Sequence, residues 1–172
     1  MLDLALLRHA NSAPGASGVR DFDRPLSAGG EKAAAWMGQH LRDRGFVPDR
    51  ILCSPARRAR ATLECLGEGF ENFPGLEFPE EFYLATPGTL LNHIALVGDA
   101  RRVLVVAHNP GLEDLANELA GRGAGSTGAQ AALGLGFAAS ALAVFEVGGP
   151  NFSDIHHEAA RLVHFATSGS MG

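Results

Sequence analysis

The chain has 172 residues, 46% apolar and 19% charged, a balance that excludes wholesale disorder and is large enough for a core without disulfide staples. Its formal net charge is -5, and every one of the fourteen basic residues except Lys32 is arginine; a general nucleic-acid binder needs a basic excess, so any phosphate chemistry is expected at one local site. No apolar run is long enough to span a bilayer, the first residues lack the marks of a signal peptide, and Cys53 and Cys65 are too few for a disulfide scaffold or a four-cysteine metal site. The expectation is a single cytoplasmic domain over 1–172, with neither nucleic acid nor membrane as partner.

Leu2 to Leu7 is a short, mostly apolar run that reads as a buried strand, and Arg8-His9 follows it directly. Residues 10–27 are rich in Gly, Pro, Asp and Ser and predict a long loop, a feature that is often functional. Ala33, Met37 and Leu41 then recur at helical spacing, between Ser27 as a cap and Gly45 as a stop. The same grammar of strand, polar residue, proline and helix returns twice. Ile51-Leu52-Cys53 runs into Ser54-Pro55 and a helix face of Ala59, Leu63 and Leu66; Val103 to Ala107 runs into His108-Asn109-Pro110 and a face of Leu112, Leu115, Ala116 and Leu119. Ser54 and Asn109 are expected as helix caps, with proline in the first helical position. Thr86-Pro87 opens a shorter helix through Leu90, Leu91 and Ile94. The Gly- and Ala-rich stretch 121–136 predicts a flexible loop, 141–147 and 162–165 further strands, and 167–172 a frayed tail. Near-continuous apolar strands alternating with amphipathic helices predict a three-layer α/β fold, its sheet largely parallel and covered by helices on both faces.

In such sheets ligands bind beyond the carboxyl ends of the strands. Three predicted strand ends carry polar residues there: Arg8-His9, Ser54 with Arg58 about one helical turn on, and His108. Helical side chains lean toward the helix N-terminus, so Arg58 turns back to the sheet edge. Two arginines and two histidines converging on one pocket suit a dianion such as a phosphoryl group.

Those residues also carry a resemblance. Leu7-Arg8-His9-Ala10, the element Ser54-Pro55-Ala56-Arg57-Arg58-Ala59-Arg60-Ala61-Thr62, and Val106-Ala107-His108-Asn109-Pro110 resemble, in order, the signature elements of the histidine phosphatase (phosphoglycerate mutase-like) superfamily. Asp23-Arg24-Pro25-Leu26-Ser27 with Gly30, and the small size, are most similar to its SixA-type phosphohistidine phosphatases. The resemblance implies a phosphoglycerate mutase-like fold and a phosphatase that needs neither metal nor cofactor. His9 would be the nucleophile, passing through a phosphohistidine enzyme, and a backbone carbonyl would hold its other N–H. Arg8 and Arg58 would bind phosphoryl oxygens, His108 would donate to them, and Arg24 is a further candidate contact, an exposed ion pair with Asp21 or Asp23 being the alternative. The implied partner is a phosphohistidine-bearing signalling or phosphotransfer protein. A small-molecule phosphate ester phosphatase, and a phospho-binding module without turnover, are the competing readings.

Two departures from the pattern stand out: Ala10 replaces a glycine, and Phe137-Ala138-Ala139-Ser140-Ala141 lacks the Pro and Thr that relatives often carry. Many relatives acting on esters use a carboxylate as general acid, whereas Glu77, Glu80 and Glu81 match no such spacing, which favours phosphohistidine. A chain this short leaves little for a lid, so a shallow, open site is expected. Other motifs fail locally. Gly123 to Gly128 fits Gly-x-Gly-x-x-Gly but follows a helix; Cys53 lies one position short of a Cys-x5-Arg loop ending at Arg58; no Gly-x-Ser-x-Gly elbow surrounds Ser54; and His156-His157 would face opposite ways along a strand.

Overall fold

The computed structural model describes residues 1–170. In chain order the elements are β1 (Leu2–Arg8), α1 (Ala28–Asp43), β2 (Arg50–Cys53), α2 (Arg57–Leu66), β3 (Leu76–Glu77), α3 (Pro87–Ala95), β4 (Arg102–Ala107), α4 (Gly111–Ala120), α5 (Thr127–Leu133), β5 (Leu142–Val147) and β6 (Ala160–Ala166), with short 3-10 turns between some of them. The six strands form one sheet in the order β3-β2-β4-β1-β5-β6.

β1, β2, β3 and β4 run parallel to their neighbours among themselves; β5 is antiparallel to both β1 and β6, and the return from β5 to β6 needs no α-helical crossover. Side chains alternate across the sheet. Leu2, Leu4 and Leu6 of β1 pack with α3, α4 and α5, while Ala5 and Leu7 pack with α1 and α2. The result is the expected three-layer α/β arrangement.

The crossover from β1 to β2 leaves a gap that β4 fills, so the carboxyl ends of β1, β4 and β2 lie side by side. Arg8 pairs with Ala107 and Cys53 with Val106, and the ladder continues past the strands through His9 N–H to the Ala107 carbonyl at 3.1 Å and Ser54 N–H to the Val106 carbonyl at 2.9 Å. His9, Ser54 and His108 therefore leave the sheet at one level.

The stretch 121–136, expected as a loop, contains α5. Ser126 caps it by accepting from the Ala129 N–H, and Ala129 and Leu133 bury against the core. Its glycines serve close packing. A Cβ at Gly123 would lie 2.7 Å from the Ala160 carbonyl oxygen and one at Gly125 2.6 Å from that of Leu162, so the literal dinucleotide motif is a segment pressed on the edge of β6. Of the expected frayed tail, Ser168–Ser170 form a 3-10 turn, and 171–172 lie outside the described residues.

Candidate active site

The strand ends and the loop over 10–27 enclose a cavity of about 450 Å³ lined by, among others, Arg8, His9, Asp21, Arg24, Arg58 and His108. Larger clefts near Arg50, near Gly148 and beside Arg57 hold none of these residues. The floor is dry: His9, Arg58 and His108 are 8%, 3% and 2% exposed. The mouth is wet, with Leu84 54% exposed and the Asp21 side chain half-exposed.

Every neighbour of His9 fixes its protonation. Nδ1 lies 2.7 Å from the Ala10 carbonyl, which can only accept, so Nδ1 carries the hydrogen. Arg58 Nε donates to Nε2 at 3.3 Å, so Nε2 carries a lone pair rather than a hydrogen, and that lone pair is engaged by Arg58. Burial, then the charges of Arg58, Arg8 and Arg24, push the pKa of His9 down to about 4, against the pull of the Ala10 carbonyl. The ring is neutral at pH 7.

His108 is set by Ser54. Ser54 Oγ accepts from the Ala56 N–H at 3.3 Å and shares a hydrogen bond of 2.6 Å with His108 Nε2 in which either atom can be the donor. His108 Nδ1 is buried and has no hydrogen-bond partner among the described residues. Burial, then the His9 and Arg58 charges, lower the pKa of His108 to about 3. The two rings stand 5.0 Å apart between centroids.

Arg8 donates through Nη1 to the Phe137 carbonyl at 3.0 Å, while its buried Nε has no partner. Arg58 uses Nη1 on the Asp21 carbonyl at 2.7 Å and Nη2 on the Asp21 carboxylate at 3.1 Å. Thr62 ties α2 to the end of β1: it accepts from the Ala10 N–H at 2.9 Å and donates to the Arg58 carbonyl at 2.7 Å. Two buried nitrogens without partners among the described residues, Arg8 Nε and His108 Nδ1, thus share a cationic pocket with a neutral imidazole. Chemically, the site can hold an oxyanion and attack its central atom.

Comparison with known proteins agrees with this geometry. A model of the histidine phosphatase superfamily (branch 1) matches residues 4–79. An uncharacterized protein of Mycobacterium tuberculosis is 36% identical over 160 residues, spanning 92% of this chain and 98% of its own. The structure is also similar to that of SixA, a candidate phosphohistidine phosphatase, from Nakamurella multipartitia, with a TM-score of 0.83 and 33% identity over 96% of this chain and 95% of that one. A second such structure, from Agrobacterium tumefaciens, gives 0.79 and 32% over 96% and 98%. The chain belongs to the histidine phosphatase superfamily.

In this superfamily member all four motif residues, Arg8, His9, Arg58 and His108, meet in one cavity. Arg24 lines the cavity, and its Nε donates to Asp21 at 3.0 Å, the ion pair given as the alternative. The expected caps are different. α2 begins at Arg57 and α4 at Gly111, because the side chains of Ser54 and Asn109 are committed elsewhere, Ser54 to His108 and Asn109 to Glu113 and the Phe137 carbonyl. Sequence reasoning missed Asp21 as a hub and Tyr83 altogether. Tyr83 donates its hydroxyl to Asp21 Oδ2 at 2.6 Å and presents a ring edge-on to His108 at 5.7 Å. Being the single tyrosine of the chain was its only signal. Among the described residues no helix is long and apolar enough to cross a membrane, and no cluster of three metal-ligating side chains exists.

Proposed function

We propose that this protein is a metal-independent phosphatase that removes the phosphoryl group from phosphohistidine on a partner protein. The observation that carries the reading is the neutral His9, whose Nε2 accepts only a long 3.3 Å hydrogen bond from Arg58, in one cavity with Arg8 Nε and His108 Nδ1, both buried and without partners among the described residues. His9 Nε2 attacks phosphorus in line, and the bond to the leaving nitrogen breaks with its electron pair. Arg8, Arg58 and His108 hold the equatorial oxygens, where fixed guanidinium forks match phosphoryl geometry. Water then attacks phospho-His9. Its two protons leave with the phosphate, and His9 returns to its starting tautomer with Nδ1–H still on the Ala10 carbonyl. Electrostatic positioning supplies most of the acceleration.

The SixA proteins at 33% and 32% identity support the substrate class. The open mouth supports a side chain on a folded partner over a small ester, which needs enclosure. Cys53 and Cys65 are unpaired, in keeping with a reducing cytoplasm.

The test is phosphate release from a phosphohistidine-bearing carrier protein beside a panel of small phosphate esters, with chelator present throughout. Fast release from the carrier, reduced to background in His9→Ala, is expected. Preference for one ester would transfer the protein to small-molecule metabolism, and undiminished activity in His9→Ala would overturn the nucleophile.

A further inference from the structure

A carboxylate at the mouth of a phosphate pocket is out of place unless it faces something other than phosphate. Among the described residues Asp21 is the only acidic one lining the cavity, beside three arginines and two histidines. It is held firmly: Oδ2 accepts from Tyr83 at 2.6 Å and from Arg58 at 3.1 Å, and Oδ1 accepts from Arg24 at 3.0 Å. The side chain is half-exposed at the mouth, and each carboxylate oxygen has two acceptor sites, so Oδ1 keeps one beyond its bond to Arg24. The Arg58 guanidinium reaches the nucleophile through Nε and Asp21 through Nη2, placing the carboxylate one guanidinium away from the attacking nitrogen.

We propose that Asp21 accepts a hydrogen bond from the far ring N–H of the leaving imidazole, and so selects phosphohistidine over phosphate esters. This rests on the phosphatase reading above and deepens it. A phosphoimidazole protonated on its far nitrogen leaves as neutral imidazole: the P–N electron pair goes to the departing nitrogen, and no proton has to move. Asp21 favours that protonated form by charge. The Ala10 carbonyl does the same for the enzyme's own phospho-His9, so both halves of the reaction use an acceptor on the far nitrogen. An ester brings no such N–H and needs a proton on its leaving oxygen. Asp21 has none to give, because the Tyr83 hydrogen bond, and then Arg58, hold its pKa down to about 2.

The experiment compares wild type with Asp21→Asn and Asp21→Glu in the full chain. It measures kcat/KM for a phosphohistidine-bearing carrier and for p-nitrophenyl phosphate, an ester whose leaving group needs no acid, together with inhibition by vanadate. Asp21→Asn is expected to lower the ratio of the phosphohistidine value to the ester value about tenfold or more, beyond whatever loss both substrates and vanadate share through Arg58, and Asp21→Glu to recover most of the ratio. Equal loss on both substrates with weakened vanadate inhibition would mean that Asp21 only holds Arg58, and would overturn the inference. No change on either substrate would do the same. A measurement on wild type alone guards against a misfolded variant: imidazole should strengthen vanadate inhibition, and 1-methylimidazole, which has no N–H once its free nitrogen faces vanadium, should not. Equal effects of the two overturn the inference. Wild type that cleaves the ester and leaves phosphohistidine untouched defeats the functional reading itself, an outcome distinct from these.

Discussion

His9 needs a lone pair on Nε2 and a hydrogen on Nδ1, and its neighbours impose both before any substrate arrives. An ordinary histidine, with a pKa near 6.5, is mostly protonated at pH 5.5. His9 is pushed down to about 4, chiefly by burial, so its neutral form persists about two units further into acid. Nitrogen-15 NMR of the imidazole should show Nδ1–H and a bare Nε2 from pH 8 to about 5.5, with a midpoint near 4; a midpoint near 6.5 would remove the argument. At this scale much was legible. Arg8, His9, Arg58 and His108 declare themselves through short local motifs, because each motif is a strand end followed by the turn that aims its side chain. The hub of Asp21 and Tyr83 does not, since it forms through contacts of Asp21 with Arg58 and Tyr83, 37 and 62 positions along the chain.

Among elements, α2 matters most because it carries Arg58 into the site. Two close approaches fix it. At Gly38 of α1 a Cβ would come within 1.9 Å of the Leu66 carbonyl oxygen at the end of α2, so only glycine lets the helices meet this tightly. At the other end Thr62 bridges the Ala10 N–H and the Arg58 carbonyl, tying the helix to the residue after His9. Thr62→Val keeps the shape and removes the hydroxyl, leaving the buried Ala10 N–H without an acceptor, a loss of about 1–3 kcal/mol. Urea unfolding should register that loss, and kcat/KM should fall with it as the Ala10 carbonyl that orients His9 loosens. Unchanged stability would mean another acceptor takes over. The helix itself was legible from Ala59, Leu63 and Leu66; its true start at Arg57 was not, because the sequence cannot tell that Ser54 is claimed by His108.

Over the whole molecule, buried neutral histidines couple folding to acid. His9 and His164 are lowered to about 4 and His108 to about 3, each chiefly by burial. The unfolded chain takes up these protons near pH 6.5 and the folded chain does not, so the unfolded state binds more protons in between. The stability they contribute is complete above pH 6.5 and is lost as pH falls toward 4 and 3. Tm should decline steadily from pH 7 to pH 4 at constant ionic strength, and a flat profile would contradict the burial of these rings. The strand, proline and helix grammar determined by itself that the fold is layered α/β and which four residues meet at the carboxyl edge of the sheet, because helix periodicity, turns and strand-end motifs are local properties. Strand order was decided only in three dimensions: β4 enters between β1 and β2 because the hydrophobic faces of α1 and α2 on one side and α3 and α4 on the other must be buried together. The same packing turned the glycine-rich 121–136 into α5 lying on β6 and brought Tyr83 over Asp21, since long-range contacts depend on which surfaces remain to be covered once the sheet is built.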